Sequence, residues 1–348
     1  MRLIQPLQLR PGDKVAAVSL SSGSAGEPNL RWRTDYGVSR LEAMGLRVVP
    51  AQNALRGSDF LYRRPEARAE DLMAAFADPE IKGIFSYIGG EESIRLLPFI
   101  DYGLIRRNPK WFVGYSDATV THFMCYKAGL SSLYGPAILS DLAENVALPE
   151  YTDRWLSRAL FSAEPLGEIP PAESFASGFP DWGDEEATKA TPRTFLPNRG
   201  HELLQGEGTA RGRLVGGCLE VLDWLRGMEL FPPAGDFEGA VLFLETSEDM
   251  PPPHRFRYIL RALGAVGVLG AIRGMIFGKP YGEKYDGEYK AELRLVLAEF
   301  DRQDLPVLWN LSFGHCEPKF CLPYGALAEI DCGRAAFRIL EGAAAERC

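Results

Sequence analysis

Short apolar runs alternate with amphipathic stretches along the first half of the chain. Val15-Ala16-Ala17-Val18-Ser19-Leu20 is a strand-length run followed by the loop SSGSAG. Val38, Leu41 and Met44 then recur at helical spacing and stop at Gly45, where a C-capping glycine belongs. LRVVPA reads as a second strand, and Leu72, Met73 and Phe76 mark the next helix. KGIFSYIGG is a third strand ending in paired glycines, and KWFVGYS is a fourth. Strands alternating with helices predict a parallel sheet covered on both faces, an α/β fold. Ligands of such sheets sit beyond the carboxyl ends of the strands, the edge where Gly89-Gly90 and Ser116 fall.

From 164 to 207 the pattern is lost. The segment is rich in Pro, Gly, Ser and Thr and reads as a linker or a long loop over a site. Regular patterning resumes with RGRLVGG, a helix CLEVLDWLRGM and the strand AVLFLET. A helix follows MPPPH, and IRGMIFG is the next strand. Leu293, Val296, Leu297 and Phe300 lie on one helical face, and VLWNLSFGH, ALAEID and AAFRILEG close a second α/β unit richer in sheet.

Composition narrows the class. At 348 residues two domains are the default, and 46% hydrophobic with 24% charged residues is the balance of a soluble globular protein. Thirty-eight basic against forty-seven acidic residues give −9, which argues against a nucleic-acid or anionic-membrane partner. Pro6, Pro11 and Asp13 interrupt any signal-peptide core, and no apolar run approaches the roughly 20 residues that span a bilayer, so a cytoplasmic location is expected. The six cysteines are scattered and are expected to be buried free thiols. His315-Cys316 with Cys321 lacks a CxxC pair, so no metal site is assigned.

Candidate chemistry centres on Gly114-Tyr115-Ser116-Asp117, at the exit of the fourth strand. One reading is a helix-capping turn. The other is a nucleophile on a strand–turn–helix elbow, with Ala118 where G-x-S-x-G has its last glycine. A nucleophile needs a base and an orienting carboxylate. Of the four histidines, His122 is six residues along the same helix and too far round to reach Ser116. His201 is in the irregular segment, and His254 opens a helix after three prolines. His315 ends VLWNLSFGH on a Gly-flanked turn, where it faces a cleft or simply packs. Glu245 ends the apolar run AVLFLE and must find a partner where the strand leaves the core. Glu248 and Asp249 lie in the polar loop that follows and read as solvated or helix-capping. Gly89-Gly90 offers unhindered backbone amides for an oxyanion, or is a plain turn.

SYIGGEES, FVGYSDAT, LVGGCLEVLDWLRG, LFLETSED, IFGK and FGHCEPKFCLPYG occur in the order, and near the spacing, of the LD-carboxypeptidase family of serine peptidases. This resemblance covers almost the whole chain. It implies Ser116 as nucleophile, Glu245 as orienting acid, His315 as base, and the amides of Gly90 and Asp117 as the oxyanion hole. It also implies a flavodoxin-like N-terminal domain (1–163), an active-site loop (164–207), a smaller C-terminal α/β domain (208–348) and a homodimer. No cofactor is implied.

Two substrate classes compete within the family: muropeptides losing a terminal D-alanine, and aminoacyl-nucleotide conjugates of the microcin C type. The 164–207 insertion and LETSED resemble the second type, in which aromatics of the insertion stack on the nucleobase; Trp182 is the candidate for this, and Gly89 and Trp182 are assigned to substrate binding. His201 and Leu203 stand where such proteins usually carry Trp. Outside the resemblance, a non-catalytic binding module is the alternative. A phosphate loop at SSGSAG is disfavoured because GxGxxG and the P-loop lysine are absent.

Overall fold

In the computed structural model, which describes residues 2–347 apart from 177, 179 and 180, five strands pair in parallel. They are β1 (Lys14–Val18), β2 (Arg47–Pro50), β3 (Ile81–Ser86), β4 (Trp111–Gly114) and β5 (Leu133–Tyr134), in the order β5-β4-β3-β1-β2. β4 is buried at every residue, and β3 at all but one. Continuous apolar runs are what a parallel sheet covered on both faces requires.

The strands of the second half are β6 (Gly167–Ile169), β7 (Ser174–Phe175), β8 (Leu196–Pro197), β9 (Glu202–Gln205), β10 (Thr209–Cys218), β11 (Val241–Glu245), β12 (Gly274–Gly278), β13 (Val307–Leu311), β14 (Leu322–Pro323), β15 (Leu327–Asp331) and β16 (Ala336–Ile339). Eight of them form one sheet in the order β6-β16-β15-β10-β11-β12-β13-β9. The first part of β10 runs antiparallel to β15 and the rest parallel to β11; β11, β12 and β13 continue in parallel. β14 leaves this half altogether and pairs antiparallel with β5, completing a six-stranded first sheet. Buried apolar residues of both sheets form one contiguous cluster.

The α/β class and the alternating first half agree with the sequence pattern. The 164–207 segment departs from the irregular loop expected. β6 and β9 are edge strands of the large sheet, β7 pairs with β8, and Glu185–Ala190 is a helical turn and a half. Strands of two to four residues are too short for a period of two to be read. The same reason hid β5 and β14. Part of that segment, residues 177, 179 and 180, lies outside the described residues. Among the described residues no helix is long and apolar enough to cross a membrane.

The topology places the site. β4 ends just before Ser116 and β11 ends at Glu245, while His315 follows β13. Each belongs to the carboxyl edge of a run of parallel strands, and the two edges meet face to face.

Candidate active site

Ser116 adopts φ +63°, an uncommon conformation for a residue with a Cβ. Backbone strain of this kind costs on the order of 1–3 kcal/mol and collects at functional sites. The helix Ala118–Lys127 begins just beyond, with Asp117 in the N-cap position and no side-chain cap hydrogen bond. The capping reading of Ser116 therefore fails, because its hydroxyl is turned to another partner. Ser116 Oγ lies 3.1 Å from His315 Nε2. Gly89 makes the turn possible: a Cβ there would sit 2.9 Å from Ser116 Cβ and 3.0 Å from its Oγ.

His315 Nδ1 lies 2.6 Å from Glu245 Oε2, and the His315 backbone N–H donates to the same oxygen at 3.3 Å. The Glu245 carboxylate is fully buried. Its other oxygen, Oε1, accepts from the Tyr134 hydroxyl at 2.5 Å. That hydroxyl in turn accepts the Ser116 backbone N–H at 3.2 Å. Tyr134 thus ties the serine turn of one sheet to the carboxylate of the other. Gly314, at φ +84°, lets the loop pass over the acid, since a Cβ there would lie 2.5 Å from Glu245 Cγ.

The electrostatics hold the pair in its charged form. Burial works against charge on His315, but the Glu245 carboxylate, helped by Glu248, outweighs it and pushes the imidazole up to about 9. Burial likewise opposes ionisation of Glu245, and the attraction and hydrogen bond of His315, with the Tyr134 hydroxyl, bring its pKa below the usual range. Tyr115 packs edge-on against the imidazole with ring centroids 4.8 Å apart, and the buried Lys319 ammonium sits 3.8 Å from the centroid of the same tyrosine ring. Lys319 is neutralised by Asp141, a buried ion pair, with Glu317 at 3.4 Å. This cation lowers the cost of a carboxylate as deep as Glu245.

Of the residues singled out in the sequence, Ser116, Glu245 and His315 come together, with Gly89 against the serine. Gly90, at φ +133°, follows in the same turn, and the Asp117 amide opens a helix and so has no intrahelical acceptor. The Asp117 side chain is buried and accepts from the Ser93 amide at 2.9 Å. Trp182 is packed with the Arg33 guanidinium 4.9 Å from its ring. His201 is half-buried, and its desolvation pushes its pKa down to about 4. His122 bonds Gly114 O and Ser132 Oγ within the core. Glu248 is exposed as expected, yet its Oε2 also reaches His315 Nε2 at 3.2 Å. Cysteines 125, 218, 316, 321 and 332 are buried free thiols, and Cys348 lies outside the described residues. Sequence reading missed Tyr134, Tyr115 and Lys319. Only Lys319 left a trace, a lone cation within the otherwise apolar FCLPYG approach.

A serine hydroxyl, an imidazole and a buried carboxylate in one hydrogen-bonded line can carry a proton away from the serine oxygen. The protein is a hydrolase of the serine-peptidase class, a carboxypeptidase. It belongs to the LD-carboxypeptidase family: the family's N-terminal domain matches residues 15–135 and its C-terminal domain residues 211–330. The chain is 30% identical to the putative carboxypeptidase YocD of Bacillus subtilis, over 93% of its own length and 95% of that protein's. It is 28% identical to the microcin C7 self-immunity protein MccF of Escherichia coli, covering 89% of each. A crystal structure of an MccF-like protein from Streptococcus pneumoniae in complex with AMP superposes with a TM-score of 0.86 at 32% identity, covering 94% of this chain and 98% of that one.

Proposed function

We propose that Ser116 is the nucleophile, His315 the general base and Glu245 the acid that orients it, in a carboxypeptidase acting on an amide beside a terminal carboxylate or its mimic. The observation that carries this reading is the line Ser116 Oγ–His315 Nε2 and His315 Nδ1–Glu245 Oε2, at 3.1 and 2.6 Å, built on a serine with positive φ. In the acylation step, Oγ bonds to the amide carbon while its proton passes to Nε2. The Gly90 and Asp117 amides receive the charge that develops on the carbonyl oxygen. The C–N bond then breaks, the Nε2 proton leaves with the amine, and water, deprotonated by the same nitrogen, releases the acyl group.

The proposed substrates are aminoacyl-nucleotide conjugates of the microcin C type, which the protein would detoxify. Similarity to the self-immunity protein and to the AMP-bound structure supports this class. Muropeptides are the second reading. It is favoured by the Arg33 guanidinium that already sits against the Trp182 ring, and by His201 standing where such proteins usually carry Trp. A side-by-side assay on an aminoacyl-sulfamoyl adenosine and a muropeptide tetrapeptide tests the choice. Turnover of the nucleoside conjugate is expected; turnover of the tetrapeptide alone would reverse the assignment.

The pH profile is a further expectation. Only a neutral imidazole takes the serine proton, so kcat/KM falls as pH drops through the His315 pKa of the free enzyme. The paired carboxylates raise that pKa from 6.5 to about 9. The acid limb of kcat/KM is therefore expected well above 6.5, and a midpoint at or below that value would contradict the described environment.

A further inference from the structure

Glu248 occupies an unexpected position. Its side chain is 47% exposed, and its Oε2 stands 3.2 Å from His315 Nε2, the same nitrogen that faces Ser116 Oγ. The two are ion-paired only when the imidazole carries its second proton, and the Glu248 charge favours that protonated form. The base needs a lone pair on Nε2. The ion pair with Glu248 therefore opposes proton abstraction from Ser116, and drawing the carboxylate away from Nε2 favours the neutral base.

The local structure permits that motion for the side chain without moving its support. Ser247 is anchored by the buried Glu220, which accepts from its backbone N–H at 2.8 Å and from its hydroxyl at 2.7 Å. Asp249 N–H donates to Ser247 Oγ at 3.2 Å. Among the described residues, the one ion pair of Glu248 is that with His315. With the Glu248 end half in solvent the pair is partly screened, so a substrate cation can compete for the carboxylate.

The position also selects the cation. A carbonyl carbon approaching Ser116 Oγ lies about 3 Å from it, which brings substituents one bond further within reach of Glu248. On the leaving side a carboxypeptidase substrate carries its terminal carboxylate or an anionic mimic, which Glu248 would repel. On the acyl side the nearest substituent is the one on the α-carbon. We propose that Glu248 is a specificity residue that pairs with a free α-ammonium on the acyl side of the scissile amide, leaving Nε2 as it does so. Recognition of the amine and release of the base are then one event. This rests on the roles proposed for Ser116 and His315 and sharpens the substrate class: an aminoacyl conjugate has that ammonium, whereas a muropeptide carries an acylated nitrogen at the same place.

The test compares two aminoacyl-sulfamoyl adenosines that differ only in a free or an N-acetylated α-amine, on wild type and Glu248→Gln. For the wild type, kcat/KM is expected to favour the free amine by at least about tenfold, the scale of a charge-assisted hydrogen bond. In Glu248→Gln that ratio is expected to fall toward one. The groups facing His315 are Glu245, Glu248, Lys319 and the ring of Tyr115. Removing the Glu248 charge alone is expected to move the acid limb of kcat/KM to lower pH. An unchanged ratio in Glu248→Gln, including equal loss on both substrates, overturns the proposal, as does a wild type indifferent to acetylation. Normal turnover by Ser116→Ala would instead overturn the catalytic roles, so the two failures are distinguishable.

Discussion

Replacing Ser116 with alanine is expected to lower kcat by roughly 10,000- to 1,000,000-fold, because nucleophile and base act as a unit and the remainder of the site supplies only binding and charge stabilisation. The fold should survive. Alanine meets the same backbone constraint at φ +63° as serine does, and the side chain lost is one hydroxyl whose partner is His315. Thermal melting should change little, and substrate should still bind, which a catalytically dead variant allows to be measured at equilibrium. Turnover near wild type, with contaminating enzyme excluded, would end the serine-hydrolase reading and leave the strained turn without a function.

Glu245→Gln is expected to cost less, roughly 1,000- to 10,000-fold in kcat, since the acid orients and stabilises the imidazole without touching substrate. The geometry explains why the loss is still large. Glu245 accepts from three donors: the Tyr134 hydroxyl, the His315 ring N–H and the His315 backbone N–H. A glutamine has one acceptor oxygen for them. With that oxygen turned to His315 the tautomer is kept, but the imidazolium formed in the reaction has lost its counter-charge. With the amide reversed, its N–H₂ opposes Nδ1–H and the ring must turn away from Ser116. Because the carboxylate is also what holds the His315 pKa high, the acid limb of whatever activity remains should move to lower pH. A loss under about tenfold would remove Glu245 from the proton relay.

The chain's own pattern determined a good deal. Strands β1 to β4, the helix that stops before Gly45, and the strand ends at Ser116 and Glu245 all follow from local periodicity and turn chemistry. Such signals lie within a few residues of one another. The residue types needed for acyl transfer were also legible, because a serine at a strand exit and a carboxylate closing an apolar run are locally anomalous.

Tertiary structure alone decided the rest. Whether Ser116 caps a helix or faces a base depended on its φ and on an imidazole 199 positions away. β14 crosses from the second half to pair with β5, an exchange that no two-residue segment announces. No local signal marks Tyr134, whose hydroxyl lies between the Ser116 N–H and the Glu245 carboxylate. Glu248 read as solvated, and it is exposed, yet it touches the nitrogen on which the chemistry turns. Local sequence encodes periodicity and turns because those interactions span a few residues. The hydrogen bonds and charges that define this site join groups distant along the chain, and they exist only once two strand edges have been brought together.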